Sequence, residues 1–278
     1  MQPRSIAAFC GRVTLSGALA LAVLTVFCCF YFNPPVHYPD PDGATDYRWE
    51  PNTFYSQATE GFSWGRTNNE GYHNAGDYRD GVRVDILLMG SSHMEGGNVA
   101  AEESTASSLA ALLPGEVVYN LGTSGHRFPI CAANLEKAAE KYRPARFVLI
   151  ETEMLQFPDD TLRQALDGTL PDIPSHTGGL AGVLQREPLL RHLYHQWEAR
   201  SPGDGATETP CGANDERLLG ALLAKLQRDA AGARVIVFYH PGVTVQPDGT
   251  LEADGDPAMV AAFSRRCEAN GVYFLDMS

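Results

Sequence analysis

The sequence predicts an α/β protein: a three-layer α/β/α sandwich with a five-stranded parallel sheet, the flavodoxin-like arrangement. Short apolar runs alternate with amphipathic helical stretches from residue 84 onwards, and this alternation indicates a parallel sheet with helices on both faces. The composition is that of an ordinary globular protein, with 44% hydrophobic and 20% charged residues. The predicted strands are 84–89, 117–120, 147–150, 234–239 and 272–275.

The helix at 215–229 is the clearest of the predicted helices. Leucines recur there at helical spacing, and Gly232 follows soon after the last of them. Asp256 and Pro257 form an N-cap and first-turn pair that opens a last helix, which Gly271 ends. Two further helices are predicted at 104–113 and 131–141.

Residues 13–32 carry no charge and predict a membrane anchor. A helix of this length spans about 30 Å, the thickness of a bilayer core. Two arginines precede the stretch and three aspartates follow it before residue 47, which favours a single-pass protein of the cell membrane with a cytoplasmic N-terminus and an extracytoplasmic main domain. A cleaved signal peptide is the alternative, but the stretch ends in bulky residues. Lipid modification at Cys28 is disfavoured because Phe27 precedes it.

These patterns divide the chain into three regions. Residues 1–33 form the cytoplasmic stub and the anchor, 34–81 an extended tether and an irregular arm, and 82–278 the main domain. Within the main domain, 154–213 breaks the alternation and is expected to be an insertion, which either covers a substrate groove or is dispensable. A helix is possible around 189–200.

Charge and cysteine content exclude several functions. The formal net charge of −13 repels nucleic acid and anionic headgroups, so we expect neither as a target of the main domain. Cys131, Cys211 and Cys267 have no metal-ligand spacing and are expected to be buried or free thiols. No glycine-rich phosphate loop follows any predicted strand, which argues against nucleotide binding. We therefore expect no metal and no cofactor.

The main chemical motif follows the first predicted strand of the main domain and runs from Gly90 to Gly96 (G-S-S-H-M-E-G). A serine at a tight strand-to-helix turn has an exposed hydroxyl, and the backbone N–H groups of such a turn can hold a developing oxyanion. Glycines on either side let a substrate approach the main chain. Taken alone, this segment is equally well explained as a turn of small residues without chemistry.

In this segment the chain resembles the SGNH/GDSL hydrolases, whose first block reads Gly-Asp-Ser, three residues and Gly after the first strand. Gly90, Ser92 and Gly96 match that spacing, and Ser91 replaces the Asp. The resemblance implies that Ser92 is the catalytic nucleophile and that its own N–H contributes to the oxyanion hole.

Residues 119–126 (Y-N-L-G-T-S-G-H), at the end of the second predicted strand, resemble the second block of that family. The family's glycine in this block donates a second N–H to the oxyanion. Gly125 is the better match to it, and Gly122 is the alternative. Two blocks in the expected order, each after its expected strand, are more specific than either block alone.

The third block departs from the family pattern. The family places an Asn after the third strand, whereas this chain has Glu151, Thr152 and Glu153. Thr152 could donate to the oxyanion through its hydroxyl. A glutamate at this position repels an oxyanion unless it is protonated or turned away.

Three histidines lie next to these motifs. His240 stands before a proline at the expected ligand-facing edge and is interpreted as a turn residue. His93 and His126 adjoin motif residues and are expected to shape the pocket rather than to act as the base.

The family's last block, Asp-x-x-His after the fifth strand, supplies the base and the residue that orients it. Here the fifth predicted strand is followed by Asp276, Met277 and Ser278, without that motif. Because a doubly wound sheet also covers its last strand with a helix, we expect the sequence to be a truncated form of a longer protein.

The function that the resemblance implies is ester hydrolysis or acyl transfer, with O-acetyl groups on extracytoplasmic glycans as the expected substrate. The alternative is a glycan-binding or structural module on the same scaffold, which the departures in the third and last blocks favour.

Overall fold

The computed structural model describes residues 3–40, 43–58, 61–169, 187–193, 215–246, 248–253 and 255–278. The first helix, α1 (Pro3–Tyr31), begins near the N-terminus. Its segment Ile6–Tyr31 is long and apolar enough to cross a membrane, and an 18-residue window within it has a mean hydropathy of 2.3. The structure thus contains the apolar N-terminal helix that the uncharged stretch predicts.

The region after α1 contains two small antiparallel sheets. Strand β1 (His37–Pro39) pairs with β2 (Tyr47–Trp49), and β3 (Phe54–Gln57) pairs with β4 (Ser63–Arg66). The sequence did not predict these strands, because strands of three or four residues are too short to show periodicity. The region as a whole contributes buried aromatic side chains, among them Tyr47, Trp49, Tyr55 and Tyr72.

The predicted five-stranded parallel sheet is confirmed. Its strands run in the order β11-β8-β7-β5-β6, and all neighbouring pairs are parallel. Each strand lies within two residues of its predicted position. The strands are β5 (Ile86–Met89), β6 (Val118–Asn120), β7 (Phe147–Thr152), β8 (Arg234–Tyr239) and β11 (Tyr273–Asp276).

The sheet is packed on both faces, as predicted. Leu87, Val148 and Val235 point into the larger apolar core, and residues at alternate positions such as Leu88 point into a smaller core on the opposite face. Helix α3 (Thr105–Leu112) packs on the smaller core, to which it contributes the buried Ala106. The helices on the larger core are α4 (Phe128–Tyr142), α5 (Asp159–Asp167), α6 (Glu216–Asp229) and α7 (Pro257–Ala269).

Capping residues fix where these helices begin. Asp215 accepts hydrogen bonds from the N–H groups of Arg217 and Leu218, and Asp256 accepts one from Ala258. Helix α4 starts three residues before its predicted position. A proline occupies its first turn, where it is tolerated because an N–H group at that position has no partner within the helix.

Helix α5 lies within the predicted insertion and belongs to the core. Its Leu162 and Ala165 are buried, and the helix packs against α4 and α6. The possible helix at 189–200 is helical over 188–193, and the rest of it lies outside the described residues. A short hairpin of β9 (Val243–Val245) and β10 (Leu251–Ala253) follows β8.

Candidate active site

Ser92 lies at the carboxyl edge of the sheet, where ligands of parallel sheets bind. Strand β5 ends at Met89, and the short helix α2 (Ser92–Glu95) begins two residues after Gly90. The Ser92 side chain is exposed, as the prediction of an accessible hydroxyl requires. As the first residue of α2, Ser92 has an N–H without a partner inside the helix.

Close packing against the next strand explains Gly90. A Cβ at this position would lie 2.5 Å from Glu151 Oε2 and 2.8 Å from the Met94 side chain. The turn that presents Ser92 is therefore pressed against the end of β7. At the other end of α2, Gly96 has φ +68°, the left-handed conformation that ends many helices.

The loop after β6 is docked on α2. Thr123 N–H donates to the Gly90 carbonyl at 3.0 Å, and Ser124 Oγ donates to the Glu95 carboxylate. Gly125 has φ +88° at the third position of the turn from Thr123 to His126, a position that favours glycine. These two bonds fix the second predicted block beside the first. Gly125 follows directly after the two residues that make them.

Gly122 has a structural role. A Cβ on Gly122 would lie 2.4 Å from Glu95 N and 2.5 Å from the Met94 carbonyl carbon, so only glycine permits this approach of the loop to α2. Its N–H donates to Asn120 Oδ1 at 2.8 Å. Because that N–H is already bonded, Gly125 is the better of the two candidates for an oxyanion donor.

Asn120 is the centre of this docking, a role that the sequence analysis missed. Its side chain is fully buried, accepts the Gly122 N–H and donates to the Met94 carbonyl at 2.8 Å. His73, from the arm before the sheet, places Nδ1 2.8 Å from the Glu95 carbonyl. The carbonyls at the end of α2 thus receive partners from both sides. The sequence signal for this role is a polar, hydrogen-bonding residue, Asn120, at the end of an apolar strand.

The far side of the Ser92 turn faces Glu151. This carboxylate is 2% exposed and accepts the Ser91 N–H at 2.6 Å through Oε2. His240 Nε2 lies 2.7 Å from Oε1, and the Ser91 hydroxyl donates to the same oxygen at 3.3 Å. Glu151 thus hydrogen-bonds to Ser91 and His240. These bonds accommodate a buried glutamate at the strand end where an asparagine was expected.

The Glu151 carboxylate and the His240 imidazole form a hydrogen-bonded pair in which each group favours the charged form of the other. Burial raises the pKa of Glu151, but the hydrogen bonds from His240 and Ser91 outweigh burial and hold that pKa below its ordinary value. The hydrogen bond to Glu151 raises the pKa of His240 against the opposite effect of burial. His240 is thus the partner of a buried acid, and the interpretation of it as a simple turn residue missed this pairing.

His93 and His126 have different surroundings. His93 is exposed, its Nδ1 lies 3.7 Å from Glu153 Oε2, and its ring meets the His240 ring at a centroid distance of 4.7 Å. His126 is buried, with Nε2 3.1 Å from Asp46 Oδ1 in a direction unfavourable for a hydrogen bond.

Thr152 bonds to the main chain of its own loop. It is buried, and its hydroxyl donates to the Met154 carbonyl at 2.5 Å. The hydroxyl proton is therefore not available to an oxyanion, and the structure supports no such role for Thr152. Within the described residues, the Ser92 hydroxyl makes no hydrogen bond to a histidine.

The fold and this edge define an α/β protein with an exposed serine at the first strand-to-helix turn. No family model and no curated protein matches the chain. A solved structure described as "a putative arylesterase from Agrobacterium tumefaciens str. C58" is 15% identical over 70% of this chain and 83% of that chain, with a TM-score of 0.35. Another solved structure is 16% identical over 70% of this chain and 78% of that chain, with a TM-score of 0.38.

Proposed function

We propose that this protein is a serine acyl hydrolase or O-acyltransferase of SGNH/GDSL type. The observation that carries the proposal is the exposed Ser92 at the turn between β5 and α2, with the Gly125 turn docked next to it. The two motifs that resemble the family's first and second blocks thus come together at the edge where parallel sheets bind ligands.

In the proposed reaction, Ser92 Oγ attacks the acyl carbonyl carbon of an ester. The carbonyl oxygen becomes an oxyanion, which the N–H groups of Ser92 and Gly125 hold. The alcohol leaves, and water or a second alcohol then releases the acyl group from Ser92. The resemblance assigns the proton transfers to a histidine of the Asp-x-x-His block after the fifth strand, a motif that does not occur in these 278 residues.

We propose O-acetyl groups on extracytoplasmic glycans as the substrate. Helix α1 supports this location, since it is long and apolar enough to cross a membrane, and two arginines precede its uncharged stretch 13–32 while three aspartates follow it before residue 47. In this arrangement α1 anchors the protein in the cell membrane by a single pass, the N-terminus is cytoplasmic, and the main domain meets the glycan outside.

Hydrolysis of p-nitrophenyl acetate by the purified protein tests the nucleophile. We expect Ser92→Ala to lose at least about 10³-fold in kcat, because the covalent step is removed. Ser108→Ala, on the exposed side of α3, is the matched control and is expected to keep full activity. Equal activity in all three proteins would reject Ser92 as the nucleophile.

A second candidate is a glycan-binding or structural module on the same scaffold. It is favoured by the absence, within the described residues, of a histidine bonded to Ser92, and by Glu151 in place of the family's asparagine. Binding of an acetylated glycan that is equal in the wild-type protein and in Ser92→Ala, without any release of acetate, is the result that selects this candidate.

A further inference from the structure

Three side chains with metal-binding atoms meet beside the Ser92 turn. They are His93 at the start of α2, Glu151 on β7 and His240 after β8. One ligand atom from each lies within 4.8 Å of the other two. Each comes from a different element at the carboxyl edge of the sheet, and Glu151 and His240 are 89 residues apart in sequence. No short spacing motif could therefore reveal the cluster, and the sequence analysis expected no metal.

We propose that His93, Glu151 and His240 bind one divalent transition-metal ion of the zinc class. Two imidazoles and one carboxylate are a donor set that suits zinc and leaves a fourth position for water or substrate. Exposed His93 forms the solvent side of the cluster, and buried Glu151 forms its inner side. The fourth position accordingly opens towards solvent.

The carboxylate is already oriented for this role. The Ser91 N–H holds Oε2 of Glu151, so that Oε1 faces the two imidazoles. Hydrogen bonds of this kind to the second oxygen are the usual way in which proteins fix a ligating carboxylate. Ser91, which replaces the family's aspartate, is in this account a residue that positions Glu151.

The ligand atoms need only small movements to enclose an ion. Ligand bonds of about 2.0–2.1 Å in a tetrahedral site put neighbouring ligand atoms roughly 3.3 Å apart. The His240 Nε2 to Glu151 Oε1 distance of 2.7 Å must open slightly, and His93 must move inwards. His93 is exposed, and its ring can rotate without disturbing the core.

The charge of the cluster attracts a cation. Glu153 Oε2 lies 3.7 Å from His93 Nδ1 and adds a second carboxylate to that of Glu151. With both imidazoles neutral the four side chains carry a formal charge of −2. Arg127 lines the same pocket as Glu151 and Glu153, so one cation also lies near the cluster.

Isothermal titration of the untagged protein with Zn²⁺ tests the proposal. We expect one ion per chain, and His93→Ala should weaken binding by more than about 100-fold, because even residues behind the ligands contribute 10- to 100-fold. His93 is exposed, so this variant should fold normally. His192→Ala removes a half-buried histidine whose ring meets Phe32 edge-on, and this variant is expected to bind zinc like the wild type.

His240→Gln provides a second test, because glutamine can still donate a hydrogen bond to Glu151 but lacks the imidazole nitrogen. We expect it to lose zinc affinity and the visible absorption of bound Co²⁺ while keeping its thermal stability. Unchanged zinc affinity in both His93→Ala and His240→Gln would overturn the proposal. So would the absence of binding at 100 μM zinc, because this concentration of about 10⁻⁴ M is far above the dissociation constants of structural zinc sites. Ser92→Ala must retain the ion, so this proposal and that of the nucleophile fail independently.

Discussion

The two sides of the Ser92 turn are held by different kinds of contact. On the β6 side, buried Asn120 and Gly122 join the loop to α2 through short hydrogen bonds and main-chain contact. On the β7–β8 side, Glu151, His240 and His93 form a charged cluster that reaches the surface. The first side fixes the position of the serine, whereas the second presents side chains that can exchange their partners.

This difference separates residues that support the Ser92 turn from residues that could take part in binding or chemistry. Neutral groups that are buried and fully hydrogen-bonded make a rigid support, because each of them costs free energy if its partner is lost. Charged groups next to an exposed serine indicate a role in binding a ligand or in transferring a proton. Substitutions on the β6 side should therefore mainly lower the stability of the protein, and substitutions on the β7–β8 side should mainly change its binding.

Gly122→Ala is expected to have the largest effect on stability. The new Cβ would lie 2.4 Å from Glu95 N, and neither backbone can yield without separating the loop from α2. We expect a loss of about 3 kcal/mol or more in the free energy of unfolding, at the upper end for overpacking. Chemical denaturation followed by circular dichroism measures it. The control is Gly76→Ala, where no atom lies within 4 Å of the new Cβ and the change should stay within about 0.5 kcal/mol.

Asn120→Ala is expected to come next. It leaves the Gly122 N–H and the Met94 carbonyl without partners in a buried site, at a cost of about 2–3 kcal/mol. Asn270→Ala, which removes one part-buried bond to the Arg266 carbonyl, should cost under about 1 kcal/mol. Equal losses in the two variants would show that the β6 side does not depend on Asn120.

His240→Ala is expected to have a smaller effect, since His240 is only part-buried. The variant leaves the buried Glu151 carboxylate with Ser91 as its remaining partner, and we expect a loss of about 1–2 kcal/mol. His93→Ala should change stability by less than about 0.5 kcal/mol. If His93→Ala proved as destabilising as Gly122→Ala, the contrast between the two sides would be lost.

The smallest expected effect concerns Asp46 and pH. Burial raises the pKa of Asp46, but the close contact with the His126 ring and the hydrogen bond from Asn134 outweigh burial, so the folded-state pKa lies below the ordinary value of 3.8. A carboxylate of this kind stabilises the fold above about pH 4 and loses that contribution as the pH falls through its folded-state pKa. The stability advantage of the wild type over Asp46→Asn should therefore narrow between about pH 5 and pH 3. An advantage that widened in this range would contradict the assignment.

Much of the fold could be predicted from the sequence, because buried parallel strands are short apolar runs. The run that became β8 was predicted with its observed ends, 234–239. Helix α5 was missed, since only two of its residues are fully buried and the surrounding sequence is rich in Pro, Gly and Asp. A helix of nine residues is also too short for its amphipathic pattern to stand out within a long irregular stretch.

The site could be predicted only in part. The serine turn and the Gly125 turn are local motifs, and each can be read from a few consecutive residues. The Glu151–His240 pair joins residues 89 positions apart, and only the order of the strands brings them together. The sequence located both residues at strand ends, but it could not show that Glu151 would turn towards Ser91 and His240.

Mass-spectrometric mapping of a fluorophosphonate adduct tests the central claim most directly, because this reagent labels serines that react as nucleophiles. The account predicts one adduct on the peptide that contains Ser92, absent from Ser92→Ala and retained in Ser108→Ala. An adduct on Ser91 or on another serine, with Ser92 unmodified, would contradict it.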